Sequence, residues 1–184
     1  NLTRRKFMGV ALSAAAAAPA ISCGGTRSPW RFLTVEEANT LQAICAQIIP
    51  ADSDPGAAEA GVVNYIDRQL MGHYRRYQKA YREGLAGANQ TSRARFGKAF
   101  VDLAPAEQVK VLTALESNEV PKEVWKNRSA KRFFDLVLSH TMQGFYGDPR
   151  HGGNRDAVSW KMLGVPYPPV RGRLHYDLTK PRSV

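Results

Sequence analysis

From Thr34 to Phe145 the apolar residues return every three or four positions and nowhere settle into alternation. That period restricts the fold more than any single motif. Spacing of this kind gathers side chains along one side of a helix, whereas a half-buried strand needs a period of two. Thr34-Val35-Glu36-Glu37 reads as a capping box, with Ala38, Leu41, Ile44, Cys45 and Ile48 on the face behind it and Pro50 ending the helix after Ile49. Asp52-Ser53-Asp54-Pro55-Gly56 is a turn. Val62, Val63, Ile66 and Leu70 predict a second helix, and Tyr74, Tyr77, Tyr81, Leu85 and Ala88 a third. A shorter helix is expected over 91–100, with Phe96 and Phe100 turned inward. Pro105 opens the next at its first position, where the missing amide costs nothing, with Val109, Leu112 and Leu115 as its face. Phe133, Phe134, Leu136, Val137, His140, Thr141 and Phe145 predict a long apolar helix late in the chain. The expectation is one compact all-α domain over residues 32–170, with a Gly-rich loop toward its end and an irregular basic tail over 171–184.

Residues 1–26 read differently. Arg4 and Arg5 precede Lys6 and Phe7, and no charged residue occurs from Phe7 to Thr26. Paired arginines ahead of a mild, alanine-rich apolar run are the address of the twin-arginine export route, which carries folded proteins. The competing reading is a membrane-spanning helix, since a bilayer core needs about 20 apolar residues. Ala14 to Ala18 are only weakly apolar and Gly9 and Pro19 interrupt the run, which favours an export signal. Ala18-Pro19-Ala20 fits a small-residue cleavage site, and Ala20-Ile21-Ser22-Cys23-Gly24 resembles a lipoprotein box that would lipidate Cys23. The expected location is the periplasm, at the inner membrane, with a lipid anchor left open.

The chain has 184 residues and a formal net charge of +10. Taking away Arg4, Arg5 and Lys6 leaves 23 basic against 16 acidic residues, +7. The bases are dispersed, apart from Arg171, Arg173, Lys180 and Arg182 in the tail, and no nucleic-acid-binding motif accompanies them. An acidic partner or a membrane surface suits this charge better than nucleic acid. The two cysteines, Cys23 and Cys45, form no disulfide framework, and Cys45 reads as a small buried hydrophobe. No cysteine or histidine pair has metal-ligand spacing, so no metal or cofactor site is expected in this chain. The tyrosine stripe could stack on carbohydrate, but tyrosines at helical spacing are more often a core face.

The segment His140–Asp156 holds four glycines and a proline among aromatic and charged residues. Gly147-Asp148-Pro149 and Gly152-Gly153-Asn154 are turn formers. A loop of this composition on the end of a long helix suits partner binding. Two other readings stay open. Asp148, Arg150, Asn154 and Arg155 could knot the loop to itself, or His140 and His151 could act as acid–base groups. The last would make the chain a His-dependent periplasmic enzyme, although no serine, cysteine or carboxylate completes a triad in the sequence. A stand-alone lipoprotein is a further alternative.

The run Gly144-Phe145-Tyr146-Gly147-Asp148-Pro149-Arg150-His151-Gly152-Gly153-Asn154-Arg155, followed by Trp160 and Gly164, resembles the signature of the gluconate 2-dehydrogenase subunit 3 family. So do Phe32-Leu33-Thr34, Ile48-Ile49-Pro50, Asp54-Pro55-Gly56-Ala57 and Gly61-Val62-Val63-Asn64-Tyr65-Ile66-Asp67. Ala104, before Pro105, departs from a hydroxyl cap common in that family, at a cost of about 1 kcal/mol. The resemblance implies a small non-catalytic subunit of a membrane-associated sugar or polyol dehydrogenase. It implies a large partner of the glucose-methanol-choline type holding FAD, a cytochrome c subunit in some complexes, and support by the small subunit of its partner's folding and export. On this reading Tyr146, Asp148, Arg150, Asn154, Arg155 and Trp160 are expected at the partner interface. Arg4, Arg5 and Phe7 would address the twin-arginine machinery.

Overall fold

The computed structural model describes residues 28–126 and 128–165. Arg4, Arg5, Phe7, Cys23 and the basic tail lie outside them. The described residues form six α-helices and no strand: α1 (Val35–Ile48), α2 (Val62–Leu70), α3 (Gln78–Phe96), α4 (Pro105–Glu116), α5 (Ala130–Tyr146) and α6 (Val158–Met162). Single 3-10 turns lie at Arg75–Tyr77, Phe100–Asp102, Pro149–His151 and Arg155–Ala157. Helices α1 and α5 are the central pair, each packed against α2, α3 and α4 as well as each other, and α6 sits on α5. No helix among the described residues is long and apolar enough to cross a membrane.

Local chemistry explains the boundaries. Thr34 Oγ1 accepts the Glu37 amide at 3.1 Å while the Glu37 carboxylate accepts the Thr34 amide at 2.9 Å, which closes the capping box at α1. Pro105 occupies the first turn of α4 as its missing amide allows. There the Glu107 carboxylate accepts the Ala104 amide at 3.1 Å, but Ala104 has no oxygen with which to return the bond.

Three sequence expectations are corrected. No separate helix begins at Thr91: α3 runs on through Phe96 and stops at Gly97, whose φ of +73° is a backbone shape glycine adopts without strain. Thr91 and Ser92, in the stretch expected to form that shorter helix, are both buried along the inner side of α3. Phe100 is buried as expected, in a 3-10 turn, while Phe96 is half-buried. The tyrosine stripe does not lie on one helix, since Tyr74 precedes the 3-10 turn and only Tyr81 lies within α3. Val109 is 48% exposed, and the inner row of α4 is Gln108, Val111, Leu112 and Leu115. A glutamine fits that row because its side chain donates to the Phe100 carbonyl and accepts from Gln47.

The core gathers Leu41, Ile44, Ile66, Leu70, Tyr81 and Phe145, all nearly or fully buried. Each such burial is worth about 1.5–3 kcal/mol against exposure. Cys45 is also wholly buried, its Sγ 3.2 Å from Thr141 Oγ1, and burial pushes its thiol up to about 12. It therefore behaves as an inert small hydrophobe.

A buried carboxylate ties the chain ahead of α1 to α2. Asp67, 2% exposed, accepts the amides of Arg31 at 2.7 Å and of Phe32 and Leu33 at 2.9 Å. Asp67→Asn replaces one acceptor oxygen by an NH2 that faces donors, and should lower stability by about 2–4 kcal/mol. Ala104→Ser should act in the opposite direction, adding about 1 kcal/mol by completing the cap of α4. Urea unfolding of both variants beside the parent checks the signs. An unaffected Asp67→Asn would mean that the 31–33 segment contributes nothing to stability.

Candidate functional site

The C-terminal half of α5 has two sides. Inward it presents Val137, His140, Thr141 and Phe145, all buried. Outward, Leu138, Met142 and Tyr146 follow one another at four-residue intervals, 36%, 41% and 38% exposed. Side chains four apart on a helix stack along one stripe, so these three form a continuous apolar edge. Met162, Leu163 and Val165 on and after α6 are 41–58% exposed. Six of the ten large apolar side chains exposed among the described residues thus belong to α5, α6 and the residues just after them.

What holds α6 beside α5 is the loop singled out in the sequence. Asp148 caps the 3-10 turn by accepting the Arg150 amide at 3.0 Å, and its carboxylate also receives the Arg150 guanidinium at 2.9–3.1 Å. Asn154 is fully buried; its Nδ2 donates to the Gly147 carbonyl at 2.9 Å and its Oδ1 accepts the Ser159 amide at 3.0 Å. Trp160 Nε1 donates to the Tyr146 carbonyl at 2.8 Å, which seats α6 on the end of α5. The loop is also tied to α2 and the turn before it: Asn64 Nδ2 donates to the Gly152 carbonyl at 2.6 Å, and the Arg155 amide to the Ala60 carbonyl at 3.0 Å. Gly153 comes so close that a Cβ there would lie 2.2 Å from the Gly144 carbonyl oxygen. Asn154, Asp156 and Ala157 all take positive φ, 43°, 56° and 54°. Side chains pay a steric penalty in that region, so the surrounding bonds impose the shape rather than follow it.

The structure thus brings Tyr146 to Trp160 and Asp148 to Arg150, with Asn154 between them as an internal brace. Arg155 points elsewhere, its guanidinium lying over the start of α2 at Gly61. Leu138 and Met142 escaped the sequence reading. Their spacing to Tyr146 was a usable signal, but it merges with the buried stripe one step around the same helix.

The two histidines occupy unlike places. His151 is exposed in the 3-10 turn. His140, 4% exposed, lies with its ring stacked on Tyr74 at 3.9 Å between centroids, and its Nδ1 is 2.9 Å from Tyr81 Oη. Tyr74 Oη reaches Tyr65 Oη at 2.9 Å and bonds the Gln143 side chain. Burial, aided by the Arg76 charge, lowers His140 to about 4, so its ring is neutral at pH 7. An unfolded chain takes up that proton near pH 6.5 and the folded one not until about 4. The stabilising effect is therefore complete above pH 6.5 and drains away as the pH falls toward 4. Between pH 7 and 5 the protein should lose roughly 1–2 kcal/mol through this group. His140→Gln should flatten the pH dependence in that window, measured by urea unfolding, and an unchanged slope would assign it to other groups.

The family model described as Gluconate 2-dehydrogenase subunit 3 matches residues 35–166, from the first residue of α1 to just past α6. No curated protein and no solved structure matches the chain. The matched span takes in every helix described, together with the braced loop and the exposed edge of α5. The chain belongs to the gluconate 2-dehydrogenase subunit 3 family, and so to the subunits of a dehydrogenase complex.

Proposed function

We propose that this chain docks a flavin-dependent sugar or polyol dehydrogenase subunit on its α5–α6 edge and supports that subunit's folding and export. The carrying observation is the apolar edge of Leu138, Met142 and Tyr146, set beside the rigid loop within the span that places the chain in its family. Apolar side chains gathered on one edge mark a place where another chain binds. Tyr, Trp and Arg are the residues that most often anchor such contacts, and Tyr146, Trp160 and Arg150 lie at one end of this edge. Because the loop is held by bonds to α2 and α5, little ordering is left to be done on binding.

Export follows from the leader. Arg4, Arg5 and Phe7 would engage the twin-arginine machinery for both chains, so that a partner lacking its own signal crosses already folded with its FAD. The complex would then work in the periplasm at the inner membrane. The single small chain supplies the address, and the catalysis belongs to the partner.

Met142→Glu with Tyr146→Ala places a charge and a gap in the edge, at two exposed positions. Each hot-spot loss is worth about 2 kcal/mol or more, roughly thirtyfold in affinity. With the chain tagged at Val184 in its native host, the parent should bring down a stoichiometric flavoprotein, visible by flavin absorption. The double variant should lose most of it while keeping its circular dichroism. Undiminished recovery would remove the α5–α6 edge from the interface. A parent recovered alone would overturn the subunit reading itself.

A further inference from the structure

From Arg68 to Arg82 the chain carries Arg68, Arg75, Arg76, Lys79, Arg82 and His73 without one acidic residue. The ends of this stretch are engaged. Arg82 meets the Glu37 carboxylate and the Phe32 carbonyl, and Arg68 lies against Gly152. The middle differs. Arg75, Arg76 and Lys79 are exposed and none of them is in an ion pair among the described residues; Arg76 stacks over the neighbouring Tyr77 ring at 4.7 Å and donates to the Tyr77 hydroxyl at 3.0 Å. Met71, at the start of the turn, is 51% exposed.

The turn is nevertheless rigid. Tyr74, its one buried residue, is stacked on His140, and its amide donates to the Gln69 carbonyl at 2.8 Å. Gln78 Nε2 closes the other side on the Leu70 carbonyl at 2.9 Å. A fixed turn thus presents three cations without an ion pair among the described residues, together with a histidine and an exposed methionine.

We propose that the turn over residues 71–79 is a contact for an anionic phospholipid surface. Lipid phosphates would meet Arg75, Arg76 and Lys79, and the Met71 side chain would enter between the headgroups. The three cations match a surface of negative charge, and the headgroup boundary also accepts the protruding Met71. Each cation near such a surface is worth about fivefold in partitioning, so three give roughly a hundredfold. That is a weak attachment alone, effective when something else also tethers the complex. It would orient the subunit, with the α2–α3 turn toward the bilayer. This surface is separate from the α5–α6 edge, and the inference stands whether or not that edge binds a flavoprotein.

The test uses the full chain with vesicles of phosphatidylcholine, with and without about one third phosphatidylglycerol. Three proteins are compared: the parent, Arg75→Gln/Arg76→Gln/Lys79→Gln, and the charge-matched control Arg93→Gln/Arg95→Gln/Lys98→Gln. All three carry the same leader, so its own affinity cancels. The expected result is that the parent binds the anionic vesicles, the control stays within a few fold, and the first triple variant falls by roughly a hundredfold. Amide hydrogen exchange over 70–80 should slow on vesicle binding in the parent. Equal losses in the two triple variants would reduce the effect to net charge and overturn the proposal. So would unchanged exchange over 70–80. If the first variant binds vesicles like the parent but loses a co-purifying protein, the turn is an acidic-protein contact instead, and the lipid assignment falls.

Discussion

A buried carboxylate, Asp67, decides where α2 lies, and much else follows from α2. Three backbone amides, of Arg31, Phe32 and Leu33, end on its two oxygens. A charge in that position is tolerated only because those donors surround it, and the donors are tolerated there only because the charge receives them. The mutual requirement sets both the rotation of α2 and the path of the chain entering α1. One turn earlier on α2, Asn64 reaches the Gly152 carbonyl, and the Ala60 carbonyl just ahead of the helix receives the Arg155 amide. The same helix thereby fixes both the chain entering α1 and the loop after α5.

Much of this was legible in the sequence, for stated physical reasons. Helix starts marked by reciprocal caps or by proline, at Thr34 and Pro105, depend on a few adjacent residues and appear where the pattern puts them. Errors arose where the deciding contact is distant. Gln108 rather than Val109 joins the inner row of α4 because Phe100 and Gln47 satisfy its side chain, and Thr91 lies buried within α3, where Trp125 Nε1 donates to its hydroxyl at 3.0 Å. The loop motif was visible as a cluster of turn formers. That Asn154 is its fully buried brace, while Arg155 turns toward Gly61, depends on where α2 lies. The apolar edge was hidden for a different reason. Leu138, Met142 and Tyr146 share a helix with Val137, Thr141 and Phe145, each the very next or previous residue, so both stripes satisfy the same period.

The loop's strain and its rigidity have one origin. Three residues within four positions hold positive φ, a shape the isolated segment would leave, and bonds to Asn64, Ala60, Gly147 and Ser159 retain it. A strained backbone survives only where the surroundings over-determine it. The loop therefore acts less as an adaptable arm than as a fixed wedge that sets α6 against α5. Its glycines serve close approach rather than mobility: Gly153 rests on the Gly144 carbonyl, where any side chain would collide.

Tyr74 and His140 connect the interior to both surfaces. His140 lies two residues before Met142 on α5, and its ring is the floor on which Tyr74 stacks. Tyr74 in turn pins the 71–79 segment and bonds Gln143, the neighbour of Met142. The stack is parallel within 5° and keeps a neutral imidazole against a phenol, an arrangement that protonation would disturb by placing a charge where burial opposes it. The exposed edge of α5 and the basic turn are thus two outward extensions of one buried aromatic cluster. Both surfaces lean on the same contacts: Tyr74 holds the basic turn through Gln69, and through Gln143 and His140 it meets the helix that carries the apolar edge.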